Sequence, residues 1–464
     1  TLTAITKLSY DELGRLIQTD KKTGSSLVNS GSLPATYTTL SRLQYDALDM
    51  PQKKVLAPDY DEDDMDNDDG LENLEYQYNI RGWLLGINRK YARDDNNSDN
   101  YFGFDLGYDK QANNLVGDAA YTAAQYNGNV AGMVWKSKGD AEKRRYDFSY
   151  DASNRLLKAG FSQYTASTFN QDAGINYNMV MGNGTDPLTA YDANGNIKKL
   201  QQWGLQVGSR VQIDNLNYVY QEGSNRLLKV TDSIGTDNKL GDFYNGGSAD
   251  NEDYAYDANG NMVKDHNKNI GTAGADGITY NHLNLPQTVT VRTAYNSDTI
   301  KGIVTYTYDA VGNKLKKTTA ENNVTVNHKG SGYTGSITTI TSYLGAAVFE
   351  SKVYSNITLD TALGYENVLL FIGTEEGRPR ADTASDRFTY DYMLKDHLGN
   401  VRMVLTDEQR TDTYDPASME TAAAATEEQL YANLHTREDK PAGYPTDTYT
   451  DPNEKVAKVI GSGN

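Results

Sequence analysis

The sequence predicts a mainly β protein made of short hairpins stacked into one continuous antiparallel sheet. Three observations carry this expectation. Tyrosine dominates the aromatic content, with 35 Tyr against 9 Phe and 3 Trp, and tyrosine suits strands whose faces are partly wet. Glycine is frequent and proline scarce, 41 against 10, as expected of many tight turns with positive φ. A short motif also recurs along nearly the whole chain, and repetition of this kind decides the architecture before any single element does.

The motif opens on a Tyr, usually followed by Asp, then a polar turn, then alternating apolar and polar residues. Copies begin at Tyr10, Tyr45, Tyr78, Tyr108, Tyr150, Tyr191, Tyr220, Tyr256, Tyr280 and Tyr308. Asn154 to Lys158 recurs as Asn225 to Lys229, and Asp192 to Asn196 recurs as Asp257 to Asn261. Before each turn the rings alternate with other residues, as in Tyr146, Phe148 and Tyr150, so they fall on one face of a strand. The acid of the pair, for example Asp151, Asp192, Asp257 or Asp309, can accept backbone hydrogen bonds two residues on and close a turn. Asn-Gly at 194–195 and 259–260 is read as supplying positive φ at both positions. Gly312 stands at the corresponding place after Asp309. A lone hairpin is marginal in water, so stacking in sequence is the natural remedy.

Composition narrows function. The chain has 44 Lys+Arg and 63 Asp+Glu, a formal net charge of −19. That disfavours nucleic acid, which needs a basic footprint, and anionic lipid. Without cysteine there is no disulfide, thiolate metal site or cysteine nucleophile. No apolar run reaches the roughly 18 residues of a membrane span. Thr1 to Lys7 has neither the charged nor the apolar part of a signal peptide. It reads like the middle of a strand, as though the chain were cut from a longer secreted protein. The five histidines, His266, His282, His328, His397 and His435, form no metal-ligand spacing. No nucleophile elbow, phosphate loop or dinucleotide fingerprint is present. The chain is therefore expected to be non-catalytic and to need no cofactor.

Two segments break the pattern. In the acidic run from Asp59 to Glu75, the side chains of Asp64, Asp66, Asp68 and Glu75 approach the spacing of a calcium loop. The glycine falls one place late, and the competing reading is a solvated hairpin tip. Residues 411–439 include an Ala-rich stretch with Thr426, Glu427 and Glu428 as a cap and first turn. Leu430 and Leu434 follow as an i, i+4 pair, so a helix is expected there. Residues 440–464 are polar and read as a linker toward a further C-terminal region.

The Tyr-Asp units resemble YD repeats, and the chain is similar to the Rhs family of bacterial secreted and surface proteins. The strongest match is Asp396-His397-Leu398-Gly399-Asn400 with Arg402, which resembles the Asp-His-Leu-Gly signature of the Rhs core. Tyr78 to Asn88 resembles a motif of one bacterial branch. The resemblance implies that residues 1–410 are a spiralling β-shell with an acidic insertion at 59–75. Shells of this type in teneurins and insecticidal toxin complexes enclose polypeptide, and those of Rhs effectors hold a C-terminal toxin. The self-cleavage motif of such effectors has no counterpart at Asp415-Pro416 or Asp451-Pro452.

The expected function is a secreted or cell-surface shell whose partner is an enclosed or adjacent polypeptide. The alternative is a surface adhesin recognising a protein or a glycan. Asp396 and His397, adjacent on a strand, would face opposite ways unless a turn intervenes, and the Leu-Gly-Asn that follows reads as such a turn. If the acidic run holds calcium, chelation will lower the melting temperature and Asp66→Ala will abolish that sensitivity. A melting temperature indifferent to chelator identifies a solvated tip.

Overall fold

A computed structural model describes residues 2–60, 70–93, 100–109, 121, 123–206, 209–234, 243–246, 252–383, 385–408, 437–440, 442–443 and 455–457. The chain divides into two units, Thr1–Asp407 and Glu408–Asn464.

The first unit opens with β1 (Leu2–Tyr10), β2 (Leu16–Ser25), β3 (Thr38–Tyr45), β4 (Pro51–Leu56) and β5 (Glu72–Tyr78). It continues through β6 (Leu84–Ile87), β7 (Phe102–Gly107), β8 (Gly132–Ser137), β9 (Arg144–Tyr150) and β10 (Leu156–Thr165). Next come β11 (Thr168–Asn170), β12 (Met179–Met181), β13 (Lys199–Gln206), β14 (Ser209–Tyr220) and β15 (Leu227–Asp232). These form one 15-stranded sheet in which neighbours in sequence are neighbours in space, with β11 off the path. A two-stranded sheet of β16 (Tyr254–Tyr256) and β17 (Met262–Asp265) follows. A seven-stranded sheet is then built from β18 (Ile278–Tyr280), β19 (Pro286–Arg292), β20 (Ile300–Tyr308), β21 (Lys314–His328), β22 (Ser331–Leu344), β23 (Ala347–Tyr354) and β24 (Tyr365–Ile372). The last sheet of the unit is β25 (Gly377–Asp382), β26 (Arg387–Lys395) and β27 (Val401–Thr406). All pairings are antiparallel, as hairpin-by-hairpin growth requires. The second unit contributes β28 (Arg437–Asp439), paired with β29 (Lys455–Ala457).

Helix is confined to short pieces among the described residues. The α1 segment (Arg89–Arg93) buries Tyr91 and Ala92. The α2 turn (Pro187–Ala190) starts where Asp186 accepts a bond from the Leu188 amide and Pro187 fixes φ at the first position. In α3 (Ile357–Leu363), Asn356 caps the amides of Thr358 and Leu359, and Leu359 packs with Ile337 and Tyr354. The helix expected from the Ala-rich stretch, including Leu430 and Leu434, lies outside the described residues.

The largest core cluster joins elements far apart in sequence. Leu40, Leu56, Phe102, Phe104 and Leu106 of the early strands pack with Tyr390, Tyr392 and Leu394 of β26 and Leu405 of β27. The period-two set Tyr390, Tyr392 and Leu394 therefore lies against the first sheet. At the edge of this contact Glu376 takes a hydrogen bond from Ser41 at 3.1 Å and an ion pair from Lys54 at 2.9 Å. The face behind it carries Asp391, held by Arg378 at 2.8 Å and Arg380 at 2.8 Å. A second cluster brings Leu2 of β1 against Ala347, Leu369 and Ile372. The end of the repeat array thus docks on its beginning. Close approach also fixes Gly86, where a Cβ would fall 2.1 Å from the Phe104 carbonyl oxygen.

Two expectations change. The acidic insertion ends earlier than 75, because Glu72 to Glu75 belong to β5 and Glu72 is buried. Glu72 is retained there because Asn88, Asn100 and the Tyr101 amide all donate to its carboxylate. In the Asn-Gly turns only the glycines have positive φ, +87° at Gly195 and +89° at Gly260. The loop has three residues with a left-handed third position, which needs only one such residue, unlike a two-residue I′ turn.

Asn154 and Asn284 occupy the same left-handed position in sister turns, at φ 62° and 56°. Gly260→Asn is therefore expected to be nearly neutral. Gly260→Val should cost about 1–2 kcal/mol through backbone strain. Equal denaturation midpoints for the two variants would contradict this account of the turn.

Candidate functional site

The repeated turns are built alike. In the first, the Asp11 amide bonds to the Arg15 carbonyl at 3.0 Å and the Gly14 amide bonds back to the Asp11 carbonyl at 3.0 Å. The Asp11 carboxylate accepts from the amides of Leu13 at 3.0 Å and Arg15 at 2.9 Å. The same pair of amide bonds reaches Asp46, Asn79, Asp151, Asp192, Asp257, Asn281 and Asp309. The second carboxylate oxygen takes a side chain four residues on: Arg15, Arg155, Asn196, Asn261 or Asn313. In these hairpins the register shifts immediately before the tyrosine, between Ser9 and Tyr10, Ser149 and Tyr150, Ala255 and Tyr256, and Thr307 and Tyr308, which is the bulge such a loop imposes. Within the 15-stranded sheet strand order follows sequence order, so the turns at Asp11, Asp46, Asn79 and Asp151 lie on one rim of it.

In seven of the ten repeats the tyrosine fastens its unit to the one before it. Tyr45 donates its hydroxyl to the Leu16 carbonyl at 2.8 Å, and Leu16 is the residue paired with Tyr10. Tyr108 reaches Leu84 at 2.9 Å, the partner of Tyr78. Tyr191 reaches Leu156 at 2.5 Å, the partner of Tyr150. The series runs on through Tyr220 to Ile197, Tyr256 to Leu227, Tyr280 to Met262 and Tyr308 to Pro286. Every one of those acceptors is the cross-strand partner of the preceding repeat's tyrosine. Tyr150 uses the Val130 carbonyl at 2.9 Å instead.

Where the turn ends in arginine, the guanidinium covers the next ring. Arg15 lies 4.9 Å over Tyr45, Arg155 4.5 Å over Tyr191 and Arg226 5.7 Å over Tyr256. Where the turn is Asp-Ala-Asn-Gly-Asn, the asparagines do the joining. Asn194 and Asn196 both donate to Asn225 at 2.9 Å, and Asn259 and Asn261 donate to Asn284 at 3.1 and 3.2 Å.

The Asp396 to Arg402 segment forms the turn between β26 and β27 and has the same construction. Asp396 accepts from the amides of Leu398 and Asn400 at 2.9 Å each, and Gly399 has φ +82°. Its second oxygen takes Asn400 at 3.1 Å and the Arg402 guanidinium at 2.6 Å. Lys395 stands where a repeat would have tyrosine. His397 turns away to the core, its ring 5.9 Å from that of Phe104. Its Nδ1 is buried and has no hydrogen-bond partner among the described residues. Asp396 and His397 thus point to different tasks, one closing a turn and the other packing a sheet. Glu75 is exposed on β5 opposite Lys53, whereas Asp64, Asp66 and Asp68 lie outside the described residues, as does His435.

The electrostatics follow from these contacts. The Arg15 amide holds the Asp11 carboxyl below its usual range, and the side chains of Asn196, Asn261 and Asn313 do so for Asp192, Asp257 and Asp309. At Asp396 burial acts upward, but Asn400 and Arg402 outweigh it and the carboxyl is lowered. Burial lowers His397, with Arg402 acting the same way against Asp396.

The folded state therefore binds the His397 proton less readily than the unfolded chain. Its contribution to stability is complete above about pH 6.5 and is lost as pH falls through the lower folded value. The aspartates add a second loss below about pH 3.9, for the same reason. Burial pushes Glu72 up to about 7, which acts in the opposite sense over the same range. The test is therefore the difference between two chains: between pH 7 and pH 5 the unaltered chain should lose stability relative to His397→Phe, with the more acidic limb the same in both. An unchanged profile in His397→Phe would contradict the burial of this ring.

No family model matches the chain, and no curated protein matches it. Among solved structures it is similar to TcdB2-TccC3 without its hypervariable C-terminal region, with a TM-score of 0.51 and 16% identity over 87% of this chain. It spans 16% of that chain's length. A second structure, TcdB2-TccC3-TEV, gives a TM-score of 0.36 and 13% identity over 86% of this chain and 19% of that one. What this chain has in common with the first of these is its fold, an antiparallel β architecture grown hairpin by hairpin.

Proposed function

We propose that this chain is a non-catalytic part of a β-shell that encloses or displays a polypeptide at or beyond a bacterial cell surface. The observation that supports this reading most is how completely its acids are used in building. In turn after turn both carboxylate oxygens accept bonds that close the loop, and Asp396 does the same. A general acid or base needs a free, matched partner within reach of substrate, and the Asp396–His397 pair offers none. The similarity in fold to TcdB2-TccC3 is consistent with a carrier role. The enclosed polypeptide, its secretion and its toxic character come from the Rhs resemblance.

An adhesin is the second reading, favoured by one specific feature. Leu13, Leu48 and Ile80 sit exposed on the crests of three successive repeat turns of the 15-stranded sheet. Aliphatic side chains projecting in a row suit contact with another protein.

Purified 1–464 is expected to hydrolyse neither peptide, glycan nor nucleic acid. A polypeptide fused after Asn464 should resist protease while the shell is folded and be digested once urea unfolds it. Turnover that disappears in Asp396→Asn or His397→Ala would overturn the passive reading. Binding to a surface protein that is lost in Leu48→Asp and Ile80→Asp, with no protection of the fused segment, would favour the adhesin.

A further inference from the structure

Of the strands in the 15-stranded sheet, β11 lies off the path. It folds back on the far end of β10, while β12 pairs with β10 at Lys158 and Ala159. Between the two, side chains replace a strand: Asn178 accepts from the Phe161 amide at 2.6 Å, and Gln171 donates to the Phe161 carbonyl at 3.2 Å. A groove of about 390 Å³ opens at this break in the array. It lies on the face turned away from β26. Phe148 packs on the core that holds Tyr392, so its neighbour Asp147 points the other way. Register places Ser149 opposite Lys158, Asp147 opposite Gly160 and Arg145 opposite Ser162, all on that second face. Phe169 of β11 also lines the groove.

Gly160 is its floor, and nothing in the fold calls for glycine there. Its φ lies outside the left-handed range. A Cβ would be in ordinary contact, 3.6 Å from Lys158 Cε and 3.7 Å from the Asp147 carbonyl oxygen. Other strand glycines have a steric cause. A Cβ would fall 2.5 Å from the Asn88 carbonyl oxygen at Gly103, 2.0 Å from the Tyr121 ring at Gly132 and 2.8 Å from the Ala320 carbonyl oxygen at Gly302. Glycine weakens a strand interior, and one that no neighbour requires marks a close approach of a ligand to the backbone. The side chains around the floor agree. The Ser149 and Ser162 hydroxyls and the Lys158 ammonium make no hydrogen bond or ion pair among the described residues. Arg145 lies over the rings of Tyr121 at 4.5 Å and Phe169 at 5.6 Å and donates to Asp147 at 2.8 Å, which holds that carboxylate in place.

We propose that this groove binds one ring of a neutral saccharide. A peptide strand has no edge to join, because β9 lies between β8 and β10 and the side chains of Asn178 and Gln171 close the gap in β10. The ligand must be read by side chains, in a cleft of small-ligand size. A pyranose offers an apolar C–H face and a rim of hydroxyls that donate and accept. The C–H face suits the Phe169 ring and the bare Gly160 backbone. The hydroxyls meet an acceptor in Asp147, a donor in Lys158 and both in the two serines. Arg145 and Asp147 offset each other's charge, and the formal −19 of the chain works against a polyanion. The proposal goes beyond the shell reading and stands whether or not polypeptide is enclosed.

The test is calorimetric titration of the full 1–464 chain with soluble disaccharides of glucose, galactose, mannose and N-acetylglucosamine. At least one is expected to bind saturably at one site, with Kd in the millimolar range. Gly160→Val fills the floor with a residue that suits a strand. It should abolish binding while leaving the melting temperature equal or higher. Lys158→Met should weaken binding about tenfold, the worth of a hydrogen bond from a charged donor. Absence of saturable binding across the panel, or affinity unchanged in Gly160→Val, would overturn the proposal. So would a marked fall in the melting temperature of Gly160→Val, which would show that the fold itself requires the glycine.

Discussion

The structure depends on one hydrogen bond repeated along a rim: a tyrosine hydroxyl of one hairpin on the main-chain carbonyl beside the tyrosine of the hairpin before. Each such bond is worth only about 0.5–1.5 kcal/mol net. Its importance lies in what it joins. A hairpin is marginal alone, and main-chain pairing by itself tolerates slips of register. A ring that packs on its neighbour while its hydroxyl reaches a single carbonyl fixes both distance and register. Phenylalanine has the ring without the hydroxyl and could not make this bond at the seven positions where tyrosine does. Because each contact involves only adjacent hairpins, the array is a chain of nearest-neighbour couplings.

The Asp396 turn shows what happens when that interaction is dropped but the turn is kept. Lys395 replaces the tyrosine, and no rung is made. Docking is supplied instead by Tyr390, Tyr392 and Leu394 on the first sheet, with His397 against Phe104. One loop geometry thus serves both to extend the array and to fasten its end to its beginning. The acid load of the chain acquires a reason in the same way. Part of the −19 formal charge consists of aspartates whose carboxylates close turns, and they are held ionised by the amides and side chains that bind them.

Much of this was legible in the sequence because it rests on local rules. Tyr150 and Asp151, or Tyr256 and Asp257, announce a strand end and a closing acid, and period-two alternation announces the strands. Other parts could not be read. The acceptors of the tyrosine hydroxyls are carbonyls, which every residue has, so Leu16 or Pro286 carries no mark of its role. Arg15 and Arg155 look like ordinary turn residues until the next hairpin is laid beside them. The docking of β26 on β7 joins residues nearly 300 apart in the chain, and no local pattern encodes it. The Asn-Gly dipeptide does not by itself distinguish a two-residue loop, with two left-handed positions, from the three-residue loop found here, with one at Gly195 and Gly260. The acids at Asp64, Asp66 and Asp68 belong to a stretch outside the described residues.

The central claim is that the tyrosine bond couples each hairpin to its neighbour and to no other. Amide hydrogen exchange in Tyr256→Phe tests it most directly. Tyr256 donates to the Leu227 carbonyl at 2.9 Å, joining the turn that starts at Asp257 to the one that starts at Gln221. The account predicts lost protection at the Gly260, Asn261, Ser224 and Arg226 amides, with the Asp11 and Asp309 turns unchanged. Protection retained at both adjoining turns, or lost uniformly along the chain, would contradict it.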